Sequence, residues 1–349
     1  MNQLSAPALK GGSFALLAAA LFGLSTPLVQ HFGQGLGAFT TAALLYAGAA
    51  VVALVLRQPP EREAALTWAD GPRIVAMAAL GAVLGPVALV WGLQRTSGSS
   101  ASLMLTLEAL FTAVLAWRLY GETMDKRVGL AMLLLVAGGV ALVADQGLAG
   151  GTQLLGLLAV LAATVAWGVD NTLSRGVAER DPGQVVLVKS ALGACATAAL
   201  AYGLAEPLPS GVSAVALLAI GATGYGLSLR FYLLAQRAFG AGRTGSVFAF
   251  APFIGAMGAF AFGSRDVSWM LAAGGTLMLV GVVLHLLESH GHVHDHDVLE
   301  HEHAHTHDDG HHLHTHDPMP TGPHSQKHRH ELMRHSHPHV PDSHHLHRH

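Results

Sequence analysis

Ten long apolar segments limit the folds that this chain of 349 residues can adopt. A helix needs about 20 apolar residues to cross the hydrocarbon core of a bilayer. Charged residues make up only 12% of the chain, about half of their usual share, which excludes an ordinary soluble domain. We place the spans near residues 12–31, 36–56, 73–94, 98–117, 127–144, 153–174, 184–204, 212–234, 244–262 and 268–287. The sequence therefore predicts an all-α integral membrane protein with ten transmembrane helices.

Basic residues at the ends of these spans predict the orientation of the chain. One set of ends carries only Arg95 and Arg265. The other set carries eleven: Lys10, Arg57, Arg62, Arg73, Arg118, Lys126, Arg127, Arg175, Arg180, Arg237 and Arg243. Cytoplasmic loops of membrane proteins have an excess of Lys and Arg. We therefore expect a protein of the cell inner membrane with both termini in the cytoplasm.

Short motifs recur between the two halves of the chain. The segment 21–26 resembles 166–171, and Gln94-Arg95 has its counterpart in Gln236-Arg237. Because each half has five spans, the second half must be inverted relative to the first, as in many alternating-access transporters. The predicted domains are a cytoplasmic N-terminus, two five-helix repeats and a histidine-rich tail, at residues 1–10, 11–145, 152–288 and 289–349. This symmetry favours a transporter over a structural bundle.

Two segments carry a family resemblance that extends over residues 11–287. Residues 102–117 and residues 249–256 resemble the fourth and ninth helices of the drug/metabolite transporter superfamily in its EamA-type ten-helix form. Residues 167–175 and 224–229, followed by the histidine tail, resemble a branch that includes nickel/cobalt resistance membrane proteins. The resemblance implies efflux of metal ions or their complexes, although the superfamily also exports amino acids, drugs and metabolites.

Glu108 lies about halfway along the fourth span, where the superfamily commonly has a proline. A charge at the bilayer centre costs about 2.5–3.5 kcal/mol on insertion scales, so an intramembrane ionisable residue is by default a functional hypothesis. We expect Glu108 to bind a cation or the proton that drives exchange. The structural alternative is a neutral acid hydrogen-bonded to the next helix, with help from Thr106 or Thr112.

Four further polar residues are predicted to contribute to the cavity or its gate: Asp170, Asn171, Lys189 and Arg230. Asp170 and Lys189 lie on consecutive antiparallel helices at similar depth, so an ion pair between them is expected. A buried network that includes Arg230 would satisfy all three charges, since unpaired charges in a low dielectric are costly. Arg230 has the alternative of extending to the membrane interface.

The tail holds 22 of the 24 histidines, and only His31 and His285 lie elsewhere, near span ends, where we interpret them as interfacial. Imidazole is the commonest ligand of transition metals. Few apolar residues and many prolines predict that the tail is disordered without metal. We expect no required cofactor, and expect the tail to bind divalent nickel, cobalt or zinc as a collector or a buffer. The predicted ligands are His290, His292, His294, His296, His301, His303, His305, His307, His311, His312, His314 and His316.

The sequence shows no chemistry typical of an enzyme: no nucleophile–base constellation and no Gly-x-x-x-x-Gly-Lys-Ser/Thr loop. The leading interpretation is a secondary exporter of nickel, cobalt or their small complexes. The alternatives are an exporter of amino acids or other small organic metabolites with an incidental tail, and a membrane-tethered metal buffer. The expected partners are the lipid bilayer and a small-molecule or metal-ion substrate, but not nucleic acid, and a homodimer is left open.

Overall fold

The computed structural model describes residues 6–59, 62–120, 126–239, 241–263, 268–286, 290–296, 299–305, 324–330 and 333–339. Within these ranges, ten helical segments are long and apolar enough to span a membrane. Spans 1 to 10 are Gly11–Phe32, Ala38–Leu56, Trp68–Leu93, Gly98–Leu119, Lys126–Leu148, Gly151–Val177, Pro182–Gly203, Gly211–Arg237, Thr244–Ala261 and Trp269–Leu286. The ten predicted spans and their all-α class are confirmed, with ends that move by a few residues.

The spans are built from fourteen α-helices. Those of spans 1 to 5 are α1 (Ala6–Phe32), α2 (Ala38–Leu56), α3 (Gly71–Met77), α4 (Gly85–Leu93), α5 (Gly98–Met104), α6 (Leu107–Tyr120) and α7 (Lys126–Ala149). Those of spans 6 to 10 are α8 (Gly151–Ser174), α9 (Pro182–Gly203), α10 (Gly211–Ile220), α11 (Ser228–Phe239), α12 (Ala241–Phe248), α13 (Ala251–Ala261) and α14 (Trp269–Leu286).

Spans 4 and 9 are each interrupted near the middle. In span 9 the interruption precedes Pro252, which has no backbone N–H to continue the helical hydrogen bonding. Span 4 has no proline, yet the amide of Glu108 bonds the carbonyl of Leu105 at 3.0 Å, a tighter turn than that of an α-helix. The two half-helices α6 and α13 therefore begin inside the bundle, and Glu108 occupies the place of Pro252.

Spans 3 and 8 share a different irregularity, a π-helical segment between two α-helices. The segments are Ala78–Leu84 and Gly221–Leu227. They occupy equivalent places in the two repeats, and π-helical turns frequently mark functional sites.

The two repeats pack against each other in an approximate two-fold arrangement. Spans 2, 4 and 5 pack against their counterparts 7, 9 and 10, while span 1 packs against span 8 and span 3 against span 6. Small residues allow close approach; a Cβ on Gly274 of span 10 would lie 3.0 Å from the carbonyl oxygen of Gly138 in span 5. Packing of each span against a span of the other repeat is expected for inverted repeats.

The tail forms paired strands where it is described, namely β1 (His290–His296), β2 (Leu299–His305), β3 (His324–His330) and β4 (Met333–His339). Strand β1 pairs antiparallel with β4, and β2 pairs antiparallel with β3. This differs from the prediction of a disordered tail. The physical reason is that histidines spaced by two repeat with the period of an extended strand.

Candidate functional site

Glu108 lies in the first turn of α6, at the interruption of span 4. Its carboxylate is buried and accepts a short hydrogen bond from the side-chain amide of Asn171 in span 6. The N-terminus of a helix carries a partial positive charge that favours a carboxylate at this position. The structure thus brings together two of the predicted site residues, and Asn171 is the donor where the structural alternative had named Thr106 or Thr112.

Two adjoining cavities share Glu108 and Asn171 as lining residues. The larger, of about 80 Å³, extends along spans 4, 6 and 9 towards the end of span 10. The smaller, of about 60 Å³, reaches Asp170 and Lys189. Sites for drug-sized ligands usually occupy about 300–1,000 Å³, so these cavities suit a small solute in this conformation.

The polar residues of the larger cavity that sequence reasoning missed include Tyr232, Gln236 and His285. His285 lies in the last turn of α14, near the end of the span, and its ring lines the cavity with Nδ1 3.5 Å from the Ser246 hydroxyl. The last turn of α14 turns this side chain towards span 9. Polar residues within apolar spans were the sequence feature that could have identified all three.

Lys189 of span 7 donates a hydrogen bond to Asp170 Oδ2 in span 6, and both side chains are at most 4% exposed. The expected ion pair between them is therefore present. Among the described residues, Asp170 Oδ1 has no hydrogen-bond partner although it is buried. Burying either charge without its partner would cost free energy, so Asp170 and Lys189 stabilise each other through this contact.

The π-helical segment of span 3 positions this ion pair. Tyr46 and Trp167 both donate hydrogen bonds to the carbonyl oxygen of Gly81, at 2.9 Å in the case of Trp167. A methyl group at Gly81 would overlap the carboxylate of Asp170, so only glycine leaves room for it. The widened turn thus joins spans 2, 3 and 6 around Asp170.

The first repeat has a neutral counterpart of this arrangement. Ser25 occupies the place of Asp170, and it packs against Gly224 of the second π-helical segment as Asp170 packs against Gly81. The hydroxyl of Ser25 donates to the carbonyl of Phe22 at 2.6 Å. The two repeats therefore share this backbone arrangement, and the buried ion pair belongs to the second repeat.

Aromatic rings form much of the wall around Glu108. Phe22 lies 5.5 Å from the ring of Trp167 and 5.8 Å from that of Tyr225, edge to face in both cases. Its third neighbour is Phe248, which Tyr232 meets edge to face at 5.0 Å. Such pairs fix the orientations of the rings, so one part of the wall around the carboxyl group is aromatic.

Arg230 does not join the pair of Asp170 and Lys189, contrary to the predicted three-charge network. Its electrostatic neighbours are Glu63 and Asp181, in loops at the end of the bundle. Its Nη1 atom is buried without a hydrogen-bond partner in the described part of the chain. The reason is its position on α11, about two turns before Arg237, which carries the side chain away from the cavity.

The predicted metal ligands of the tail are only partly described. Those from His290 to His305 belong to β1 and β2, while those from His307 to His316 lie outside the described residues. The register pairs histidines of β1 with histidines of β4, which sequence reasoning had not singled out: His290 with His339, His292 with His337 and His294 with His335. Among the described residues, no group of three His, Cys, Asp or Glu side chains is placed to hold a metal ion.

Two inverted five-helix repeats around a central cavity with a buried carboxylate define the class of multi-pass membrane transporters. The chain belongs to the EamA-like transporter family, which matches residues 9–144 and 154–287. The predicted EamA-type resemblance is confirmed, while the nickel/cobalt branch remains a prediction.

Individual relatives agree with this assignment. An "Uncharacterized transporter" of Methanothermobacter thermautotrophicus is 26% identical over 288 residues, which cover 77% of this chain and 84% of that protein. A solved crystal structure superposes with a TM-score of 0.56 at 23% identity, covering 81% of this chain and 96% of the other. At that level of identity the superposition supports the fold alone.

Proposed function

We propose that this EamA-type transporter is a secondary exporter of the inner membrane, with both termini in the cytoplasm. The excess of Lys and Arg at one set of span ends supports the orientation. The observation that carries the binding role is Glu108, a buried carboxylate at a helix interruption beside a cavity. In this proposal Glu108 binds the substrate cation or the coupling proton while the two repeats rock around it.

The proposed substrate is nickel or cobalt carried as a small complex. A bare ion of either metal needs several nitrogen or oxygen ligands in a defined geometry. The described residues contain no group of three such side chains, whereas Glu108 lies among aromatic rings. A complex brings its own ligands, so a single carboxyl group and aromatic contacts from the protein suffice to bind it.

The neighbouring polar residues have supporting roles in this proposal. Asn171 orients the Glu108 carboxylate through its hydrogen bond. The pair of Asp170 and Lys189, fixed at the π-helical segment of span 3, stabilises the wall of the second cavity and contributes to its gate.

A second candidate function is the export of an amino acid or another small organic metabolite. The aromatic wall formed by Phe22, Phe248 and Tyr232 favours it, because such rings contact apolar groups of an organic solute. In that case the metal-binding tail is incidental to transport.

The tail has a proposed role as a collector that raises the local metal concentration at the cytoplasmic entrance. The pairing of His290, His292 and His294 with histidines of β4 supports metal binding by a folded tail. The rival function, a membrane-tethered metal buffer, assigns all metal handling to this segment.

Transport into inverted membrane vesicles containing the full-length chain tests these proposals. Accumulation of radiolabelled nickel that increases with a small chelator such as histidine, whose one-to-one complex with nickel is a cation, and that Glu108→Gln abolishes, is the expected result. Accumulation of labelled amino acids without nickel would establish the second candidate. Nickel retention that is the same in wild type and Glu108→Gln but disappears without residues 289–349 would establish the buffer.

A further inference from the structure

A cluster of contacts joins three segments at the end of the bundle that carries the eleven basic residues, which we call the basic end. We call this cluster the basic-end clasp. Arg237, at the end of span 8, contacts both carboxylate oxygens of Glu63 at 2.8 and 3.0 Å. The same guanidinium donates to the carbonyl oxygens of Ala178 and Arg180, the latter at 2.9 Å. Both charged side chains are largely buried, at 16% and 15% exposure. The clasp therefore ties the loop after span 2 to the turn after span 6.

Further hydrogen bonds hold the same loop against the start of span 7. The amide of Asp181 donates to the carbonyl of Ala64 at 2.8 Å, and its carboxylate accepts from the amide of Gln58 at 3.0 Å. The amide of Leu66 donates to the side chain of Gln184 at 2.7 Å. At this end the first repeat is thus attached to the second by an ion pair and by backbone hydrogen bonds.

Inversion of the repeats places counterparts of both clasp residues at the opposite end, which we call the far end. Arg95 follows Gln94 as Arg237 follows Gln236. Glu206 lies the same number of residues before the π-helical segment of span 8 as Glu63 lies before that of span 3. The two acids thus have the same spacing from these segments, while Arg95 lies 11 residues after the first segment and Arg237 lies 10 residues after the second.

The counterpart pair is not formed in this conformation. Arg95 donates to the carbonyl of Trp91 at 2.9 Å and stacks 3.7 Å above the Trp91 ring, within its own helix. Glu206 accepts hydrogen bonds from the amides of Phe39 and Thr40, at 3.3 and 2.7 Å. Among the described residues Arg95 thus has no acidic partner, and Glu206 acts as a cap for span 2.

Both residues nevertheless border the same turn between spans 1 and 2. The side chain of Gln94 donates a hydrogen bond to the carbonyl of Leu36 at 2.8 Å. At the basic end, Arg237 donates a similar hydrogen bond to the carbonyl of Arg180. The carboxyl group of Glu206 fills the space beside Gly37 in the same turn. A polar vestibule of about 720 Å³ borders Arg95 here. At the far end the acid and the base are thus unpaired beside a vestibule, whereas at the basic end they form an ion pair.

We infer that Glu63–Arg237 and Glu206–Arg95 are two alternating clasps, each closed when the other is open. Inverted repeats exchange their conformations between the two ends during alternating access, so a contact closed at one end is expected at the other end in the opposite state. In that state Arg95 leaves the ring of Trp91 and pairs with Glu206, while Arg237 separates from Glu63. The inference depends on alternating access and not on the identity of the substrate.

A cysteine pair at the far end tests this coupling in the purified full-length protein in lipid. Cys195, the single native cysteine, is exposed and is first changed to alanine. In that background, Arg95→Cys and Glu206→Cys report far-end closure through cross-linking by a bismaleimide. Adding Glu63→Gln should raise the cross-linking rate about fivefold or more, the usual minimum for coupled sites. Glu61→Gln, which removes the same charge two residues earlier in the sequence, is the matched control and should leave the rate unchanged.

The reciprocal experiment distinguishes two roles of Glu206, that of an ion-pair partner for Arg95 and that of a cap for span 2. Glu206→Gln keeps an oxygen that accepts from the amide of Thr40 but removes the charge, whereas Glu206→Ala removes both. With Glu63→Cys and Arg237→Cys as the reporter pair, the clasp predicts that Glu206→Gln and Arg95→Gln raise basic-end cross-linking by similar factors, because coupling is reciprocal. An effect of Glu206→Ala alone, or an unchanged far-end rate with Glu63→Gln, would overturn the inference.

Discussion

The side-chain amide of Asn171 donates a hydrogen bond to the carboxylate of Glu108, and this contact joins span 6 to the interruption of span 4. It connects the two repeats at the place where a half-helix begins inside the bundle. The hydrogen bond from Asn171 therefore fixes the orientation of the Glu108 carboxyl group in the cavity.

Replacing Asn171 with Leu should impair transport and lower stability. The change removes the donor to the buried carboxyl group of Glu108, and a buried polar group left without its hydrogen bond costs about 1–3 kcal/mol. Thermal unfolding in detergent and vesicle transport measure the two effects. Thr112→Val, in the same cavity but without a hydrogen bond to Glu108, is the control and should unfold near the wild-type temperature. Equal effects of both variants would contradict the role of Asn171.

Replacing Lys189 with Met should destabilise the protein by about 3–5 kcal/mol, because Asp170 would remain as a buried charge without its partner. The double variant with Asp170→Asn removes both charges and should recover most of this loss. Chemical unfolding of the purified protein gives both values. A double variant that is less stable than Lys189→Met would show that the two residues do not depend on each other.

Replacing Gly81 with Ala should destabilise the ion pair through overlap of the new methyl group with the carboxylate of Asp170. Overpacking in a tight core typically costs about 1–3 kcal/mol. Gly129→Ala is the matched control, because a Cβ at Gly129 meets open space. The difference between the two unfolding temperatures measures the effect. Similar temperatures would contradict the close packing around Asp170.

The carboxyl of Glu63 should titrate above the ordinary range of glutamate. Burial raises the pKa of Glu63 and nearby Asp181 raises it further, while Arg237 and Arg230 lower it. As the pH falls through this raised pKa, the carboxyl is protonated and the ion pair with Arg237 is lost. Carbon-13 titration, assigned by difference from Glu63→Gln, measures the pKa. Arg237→Gln should raise it further, and a lower value in that variant would contradict the contact.

The sequence predicted the spans because the length and hydropathy of a single segment determine whether it can cross a membrane. It also predicted the pairing of Asp170 with Lys189, since adjacent antiparallel helices place the two residues at equal depth. The interruption of span 4 could not be predicted, because Leu105 and Thr106 are ordinary helix residues and no proline marks the site. The equivalence of Glu108 and Pro252 was available from the family resemblance, but the interruption of span 4 itself appears only in the structure.

The remaining differences have a common physical cause. The environments of Arg230 and His285 depend on which face of a helix packs against a neighbouring helix. In a span that is apolar on most faces, the sequence pattern does not indicate that face. Asn171 was identified as polar, but its contact with Glu108 depends on the position of the interruption. For the tail, composition predicted disorder, whereas the spacing of histidines by two suited strand pairing.

The most direct test of Glu108 as the transport residue is metal tolerance of exporter-deficient cells. These cells would be complemented with the full-length chain, a chain without residues 289–349, Glu108→Gln, or Asp145→Asn as a neutralised acid outside the cavity. We expect Glu108→Gln to lose nickel and cobalt tolerance with its tail intact, while the tail-less chain keeps part of it and Asp145→Asn keeps all of it. Full tolerance with Glu108→Gln and none without the tail would contradict this account.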